Sequence, residues 1–228
     1  MTSFSSLPAR ALLALCIAAS SPGALAADAK LEEAMAQGGL QKISVKGIEL
    51  AFARPGAKLS AYDKVIVDPV NVTFARDWKP KKTGSSLSLP EEDKERIRSG
   101  VAKAVHEEFV RELSSKSTYQ VVTSPGPGVL RVKPDIMNLY VSAPDTGGAA
   151  RSRTYVSSAG RMTLLAELSD SASGEVQARV VDRREAPNNT RMTLSGSVEN
   201  AAEAREIAAG WAKILRAALD RAHGIGGK

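Results

Sequence analysis

The chain is poor in the residues that support covalent or metal chemistry. It has one cysteine, Cys16, and two histidines among 228 residues. One thiol cannot form an internal disulfide, and His106 and His223 do not make a two-histidine metal motif. No G-x-S-x-G elbow presents a serine nucleophile, and the glycine turn at 124–131 lacks the Lys-Ser/Thr of a phosphate loop. The sequence therefore predicts no catalytic residue, no metal ion and no cofactor.

Aromatic residues are scarce as well, at 4% of the chain, and the net charge is only +6. The densest basic run is "KPKK" at 79–82. Nucleic-acid binding combines a basic patch with aromatic side chains that stack on bases, so this composition argues against it. The mild positive charge favours solubility, and it also suits attraction to anionic lipid head groups or anionic wall polymers.

Long apolar runs are absent apart from one near the N-terminus. Residues 11–19 are apolar, follow Arg10 and precede a helix breaker at 22–23. The run is about half of the roughly 20 residues that a membrane-spanning helix needs. Residues 24–26 are Ala-Leu-Ala, which fits the small-x-small rule of signal peptidase. The sequence predicts a signal peptide at 1–26, cleavage before Ala27 and a periplasmic protein without a transmembrane segment.

The alternative is a lipoprotein that is anchored to the membrane through Cys16. Against it, bulky Leu15 stands where a small residue is expected, and Cys16 lies inside the apolar run. Cleavage before Ala27 removes the only cysteine and one arginine but no acid, which leaves 30 cations and 25 anions, a net charge of +5. The mature chain must then be stabilised by a packed core.

The pattern along the chain predicts a partly ordered segment at 27–60, a single domain at 61–224 and a tail at 225–228. Strand signals lie at 62–78 and 119–143. Apolar residues repeat at helical spacing after Ser88, which we interpret as a helix N-cap, and again over 201–223. We expect an α/β (α+β) fold, a two-layer sandwich in which two long amphipathic helices pack on a mostly antiparallel or mixed sheet.

The stretch "TLLAELSDSASGEVQARVVDRR" at 163–184 predicts a β-hairpin, because apolar and polar residues alternate on both sides of a turn. Asp170 begins the turn and Gly174 supplies its permissive backbone. Glu167 should lie near Arg179 on the face away from the core.

The same hairpin holds four carboxylates within sixteen residues, Glu167, Asp170, Glu175 and Asp182. A structural role is the preferred interpretation, since side chains that flank a tight turn normally point to water. Two alternatives stay open at this stage. One is a calcium site, and the other is an acid–base pair that would serve a hydrolase acting on envelope polymer or lipid.

Four residues are predicted to contribute to binding. Arg151, Arg153 and Tyr155 belong to a glycine-rich basic loop at 143–160, where arginines can make bidentate contacts to carboxylate or phosphate groups. Loops of this length are uncommon in compact domains unless they have a function or are disordered. Trp78 stands beside two lysines at a strand end, where it is better placed for exposure and binding than Trp211, which fits the apolar stripe of a helix.

Several stretches together resemble the bacterial DUF3313 family: "YDKVIVDPVNV", "VVTSPGPGVLRVKPDI", "AELSDSASGEVQARVVDRR" and "WAKILRAALDRA". The resemblance implies an exported envelope protein, and many such relatives carry a lipobox that this chain lacks. The family has no established activity, so it supplies no catalytic residue.

The leading hypothesis is a non-enzymatic binding or accessory module in the periplasm, whose partner is an envelope protein or an anionic envelope component. The alternatives are the hydrolase described above and a structural subunit of an envelope complex. For the subunit, residues 79–82 and 151–153 would lie at the interface.

Overall fold

The computed structural model describes residues 22–80, 88–115, 119–141, 154–156, 160–185, 193–195 and 197–225. The chain divides into two compact units, 1–34 and 35–228. Three α-helices are present in the described part: α1 (Pro22–Ala36), α2 (Glu91–Ser114) and α3 (Ser197–Ala222). The strands are β1 (Gln41–Ile43), β2 (Leu50–Ala53), β3 (Lys64–Val67), β4 (Asn71–Phe74), β5 (Gln120–Val121), β6 (Val129–Val141), β7 (Thr154–Val156), β8 (Gly160–Asp170), β9 (Val176–Glu185) and β10 (Thr193–Ser195).

Eight of the strands form one mixed sheet in the order β1-β2-β9-β8-β6-β3-β5, with β4 also paired to β6. The β1, β2, β9, β8 and β6 neighbours are antiparallel, while β3 and β4 run parallel to β6 and β5 parallel to β3. Strands β7 and β10 pair separately. The predicted class is confirmed: the fold is a mixed α+β structure built on an open sheet.

Strands β1 and β2 lie within the segment that the sequence predicts to be only partly ordered, residues 27–60. They nevertheless belong to the main sheet, because β2 pairs with β9 from Leu50↔Val181 to Ala53↔Ala178. The sheet therefore extends further toward the N-terminus than the expected domain start at residue 61. A four-residue strand is too short to be recognised locally, and its partner lies far away in sequence.

The hairpin of β8 and β9 has the predicted geometry. Asp170 accepts hydrogen bonds from the backbone of residues 172 and 173, and Gly174 has a φ of 75° that closes the turn. One face of β8 carries the buried apolar side chains Met162, Leu164, Ala166 and Leu168. Because side chains alternate along a strand, Glu167 lies on the opposite face.

Helices α2 and α3 share one hydrophobic core with this apolar face. Their buried stripes consist of Val101, Val105, Phe109 and Leu113 in α2, and of Ala204, Ala208, Trp211 and Leu219 in α3. The predicted N-cap of α2 is wrong: the helix begins at Glu91, and Pro90 occupies the cap without a side-chain hydrogen bond. Acidic residues at 91–93 favour this helix start through the helix dipole.

Candidate functional site

The predicted binding residues do not form one site in the described part of the chain. Arg151 and Arg153 lie outside the described residues, and so does the side chain of Tyr155, whose backbone pairs with Leu194 between β7 and β10. Their role in binding stays a prediction.

Trp78, the tryptophan that the sequence places better for exposure, is buried. Its relative exposure is 8%, its ring stacks on Phe74 at a centroid distance of 4.1 Å, and its Nε1 donates a hydrogen bond of 2.9 Å to the Val141 carbonyl oxygen. An indole contributes a large apolar area when it is buried, provided that its N–H has an acceptor. The carbonyl of Val141 meets that condition, so Trp78 belongs to the core.

Three of the hairpin carboxylates have local structural partners. Glu167 accepts a hydrogen bond of 2.8 Å from Arg179 Nε. The backbone and hydroxyl of Ser173 donate to Asp170, which lowers the pKa of this carboxyl below its ordinary value. Glu175 lies 3.4 Å from Arg54 Nε. These contacts hold the strands and the turn in place and leave no pair aimed at a substrate.

Asp182 is different, because it is a buried carboxylate. It is 6% exposed and accepts three hydrogen bonds, from Trp211 Nε1 at 2.6 Å, the Glu49 backbone N–H at 2.9 Å and Arg184 Nε at 2.9 Å. Asp182 pairs directly with Leu164, so it faces the helices, on the other side of the sheet from Glu167. The two carboxylates therefore cannot act as a convergent acid–base pair.

Arg184 completes this polar cluster. Its Nη2 donates to the Gly47 carbonyl oxygen at 3.1 Å, and its guanidinium lies 5.7 Å from the centre of the Trp211 ring. Gly210 makes room for it, since a Cβ there would be 2.6 Å from Arg184 Nη1. The cluster thus ties the segment before β2 to both β9 and α3.

Beside the cluster, a cavity of about 240 Å³ lies between helix α3 and strands β2, β8 and β9. Its wall is almost entirely apolar. It is lined by Ile43, Val45, Ile48, Ala51, Phe52, Ala53, Arg54, Gly56, Ala57, Leu59, Phe109, Val132, Leu164, Ala166, Leu168, Gln177, Ala178, Val180, Trp211, Ile214, Leu215 and Ala218.

Alanines create this space. Ala51 and Ala53 of β2, Ala166 of β8 and Ala178 of β9 all line the cavity, and none of these side chains extends beyond Cβ. Ala178 is only partly buried although its strand is internal to the sheet. Protein interiors are close-packed and have few voids larger than a water molecule. A cavity of this size is therefore a candidate site for an apolar group.

The size of the cavity restricts its occupant. It exceeds the roughly 150 Å³ of an apolar cavity that stays dry and binds benzene. It is smaller than the roughly 300–1,000 Å³ that drug-sized ligands occupy. The space therefore suits a small apolar group, or the apolar part of a larger ligand, rather than a whole drug-sized molecule.

The patterns in the sequence do not predict this cavity. The signal that could have indicated it is the run of small residues at inward positions of three neighbouring strands. Alanine also occurs in filled cores. These small residues therefore indicate a cavity only when the position of the facing helix is known. Two other site classes find no support in the described ranges: no group of three or more His, Cys, Asp or Glu residues is arranged to hold a metal ion, and no helix has the length and apolar character of a membrane span.

Comparison with known proteins adds a family but no activity. The family model "Protein of unknown function (DUF3313)" matches residues 34–215. No curated protein matches the sequence. Among solved structures, protein XCC0632 from Xanthomonas campestris is 12% identical with a TM-score of 0.37, covering 73% of this chain and 92% of that one. The PelC dodecamer from Paraburkholderia phytofirmans is 14% identical with a TM-score of 0.34, covering 78% and 97%. These likenesses are too distant to transfer any property.

Proposed function

This chain belongs to the DUF3313 family of proteins of unknown function, and within that family we propose that it is a non-enzymatic binding protein that holds the apolar part of a ligand in the cavity beneath α3. The signal peptide expected at 1–26 would deliver it to the periplasm. The sequence predicts a binding module in that compartment, and we propose the cavity as its binding site.

The observation that carries the proposal is the apolar cavity itself. Partly buried apolar side chains such as Val180 and Ile214 line it, and these side chains would lose more water if a ligand entered. Burying apolar surface is favourable by roughly 25 cal/mol per Å². Ligand pockets in proteins have this character, with apolar walls and a few polar groups that orient the ligand.

The free energies of burial and of association indicate that an apolar tail alone binds weakly. Eight methylenes would contribute roughly 6 kcal/mol at about 0.8 kcal/mol each. Association costs at least about 4 kcal/mol in lost translational and rotational freedom. The net free energy of binding is therefore small and corresponds to a weak complex. Useful affinity requires a polar contact as well.

Catalysis is not part of the proposal. Among the described residues that line the cavity, Arg54 is the only one with a titratable side chain. Asp182 lies nearby, but Trp211, Glu49 and Arg184 engage it. A general acid or base must come within hydrogen-bond reach of the substrate, and no described carboxylate or imidazole lines this cavity.

The test uses the full-length protein and N-phenyl-1-naphthylamine, an apolar dye that fluoresces when it leaves water. Ala218→Leu adds a larger side chain to the cavity wall on α3 and should weaken dye binding about tenfold or more. Ala202→Leu makes the same change on the exposed side of the same helix and should leave binding unchanged. Equal binding by both variants, or a lack of saturable binding by the parent protein, would refute the proposal.

A further inference from the structure

We infer that the ligand is an amphiphile that ends in an anionic group, with its apolar part along β8 and β9 and the anion at Arg54. The inference rests on the proposed function and adds the chemical class of the ligand. Two observations carry it: the apolar wall of the cavity, and the position of the two polar side chains in that wall.

The cavity extends along strand β8. Leu164 and Leu168 both line it and lie on the same face of β8, four residues apart. At about 3.4 Å per residue, the cavity extends along roughly 14 Å of the strand. Across the sheet it extends from Ala51 of β2 to Val132 of β6, so an apolar group can lie against several strands.

The polar side chains of the wall stand together at one end of the cavity, near the hairpin turn. Arg54 and Gln177 are the two polar residues of the described wall apart from Trp211, whose N–H is engaged by Asp182. The Arg54 backbone N–H donates to the Gln177 carbonyl oxygen at 2.8 Å, which places both residues near the turn of the β8–β9 hairpin. An amphiphile whose tail follows the strands would therefore bring its head group to this end.

Arg54 is held in a way that leaves it able to bind an anion. Its Nε donates to the Val176 carbonyl oxygen at 2.8 Å, and the side chain is 28% exposed. Within the described residues, its two terminal amino groups donate to no acceptor. A guanidinium in this state can donate two parallel hydrogen bonds to a carboxylate or a phosphate.

One neighbouring charge opposes the anion. The Glu175 carboxylate lies 3.4 Å from Arg54 Nε, and its side chain is 54% exposed. Solvent and salt screen an exposed charge, so it weakens the attraction of Arg54 for an anion without cancelling it. The two residues therefore give opposite expectations: removing the arginine charge should weaken binding of an anionic amphiphile, and removing the glutamate charge should strengthen it.

The experiment measures displacement of N-phenyl-1-naphthylamine from the full-length protein by dodecanoate, dodecyl phosphate and dodecanol below their aggregation concentrations. Either anion should displace the dye at a concentration about tenfold lower than the neutral alcohol. A preference for dodecanoate identifies a fatty acid, and a preference for dodecyl phosphate identifies a lipid phosphate.

Variants test the role of the charge. Arg54→Gln should abolish the preference for the anions over dodecanol, Arg54→Lys should keep part of it, and Glu175→Gln should increase it. Equal displacement by dodecanoate and dodecanol would overturn this inference and leave the proposed function intact. A lack of saturable dye binding would instead refute the proposed function.

Discussion

Asp182 shows how the environment of one residue determines its role. A carboxylate in a buried position is costly unless donors satisfy it, and here an indole, a backbone N–H and a guanidinium all donate to it. These three donors come from α3, the segment before β2, and β9. Asp182 therefore connects the parts of the chain that form the cavity wall.

We predict that Asp182→Ala lowers the free energy of unfolding by about 3 kcal/mol, because it leaves buried donors without an acceptor. The matched control is Glu167→Gln, on the opposite face, where the partly exposed pair with Arg179 should contribute about 1 kcal/mol or less. Urea denaturation of both variants measures the difference. Similar losses for the two variants would contradict the structural role assigned to Asp182.

Asp170 gives a prediction about pH. Its pKa is lowered in the folded protein, chiefly by the backbone N–H of Ser173, so its ionised form stabilises the fold above the pKa of about 3.9 in the unfolded chain. That stabilisation is lost as the pH falls through the lower folded pKa. Asp170→Asn should therefore cost about 1 kcal/mol or less at neutral pH, and the cost should shrink below about pH 4.

Denaturant unfolding at a series of pH values from neutral to acidic checks this expectation, with the parent protein as the reference. A difference between variant and parent that stays constant down to the most acidic conditions would show that the charge of Asp170 is not involved.

At the scale of elements, strand β6 shows how prolines fit into a sheet. Pro134 has no N–H to donate, yet it is fully buried in a long strand that pairs with β8 throughout this region. On the other side of β6, β3 pairs as far as Val132 and β4 begins opposite Asp135. Pro134 therefore lies opposite the gap between two strands, where no ladder hydrogen bond is lost. The register between β6 and β8 shifts further along, between Met137 and Tyr140, where Asn138 has a φ of 53°.

Helices α2 and α3 each contain an internal glycine, and we predict that the two respond differently to alanine. A Cβ added at Gly100 would meet nothing within 4 Å, so Gly100→Ala should stabilise the protein by about 0.5–1 kcal/mol through helix propensity. Gly210→Ala should gain less, because its Cβ would displace the Arg184 guanidinium. Thermal unfolding of the two variants compares them, and an equal gain would mean that Gly210 has no packing role.

At the scale of the whole molecule, removal of the signal peptide determines where the mature protein begins. Helix α1 of the full-length chain includes residue 26, where we expect signal peptidase to cut. We predict that the exported protein begins at Ala27, because small residues occupy both positions that the peptidase reads. N-terminal sequencing of the protein from a periplasmic extract tests this. A lipid-modified Cys16 at the mature N-terminus would contradict it and indicate a membrane-anchored protein.

The sequence by itself determined the features that depend on neighbours along the chain. The β8–β9 hairpin follows from two-residue alternation and from the turn chemistry of Asp170 and Gly174, and both amphipathic helices follow from their apolar periodicity. These patterns also sufficed for the fold class, because two apolar helix stripes and an apolar sheet face must bury one another. The expected export signal is likewise a local pattern.

Only the tertiary structure decided the features that depend on register and on facing surfaces. Trp78 looks like a surface residue beside its lysines, and long-range packing against Phe74 and Val141 buries it. Alanines such as Ala166 and Ala178 are apolar whether the space in front of them is filled or empty. Whether a cavity forms there depends on how α3 is held over the sheet, which is set by contacts between residues far apart in the sequence.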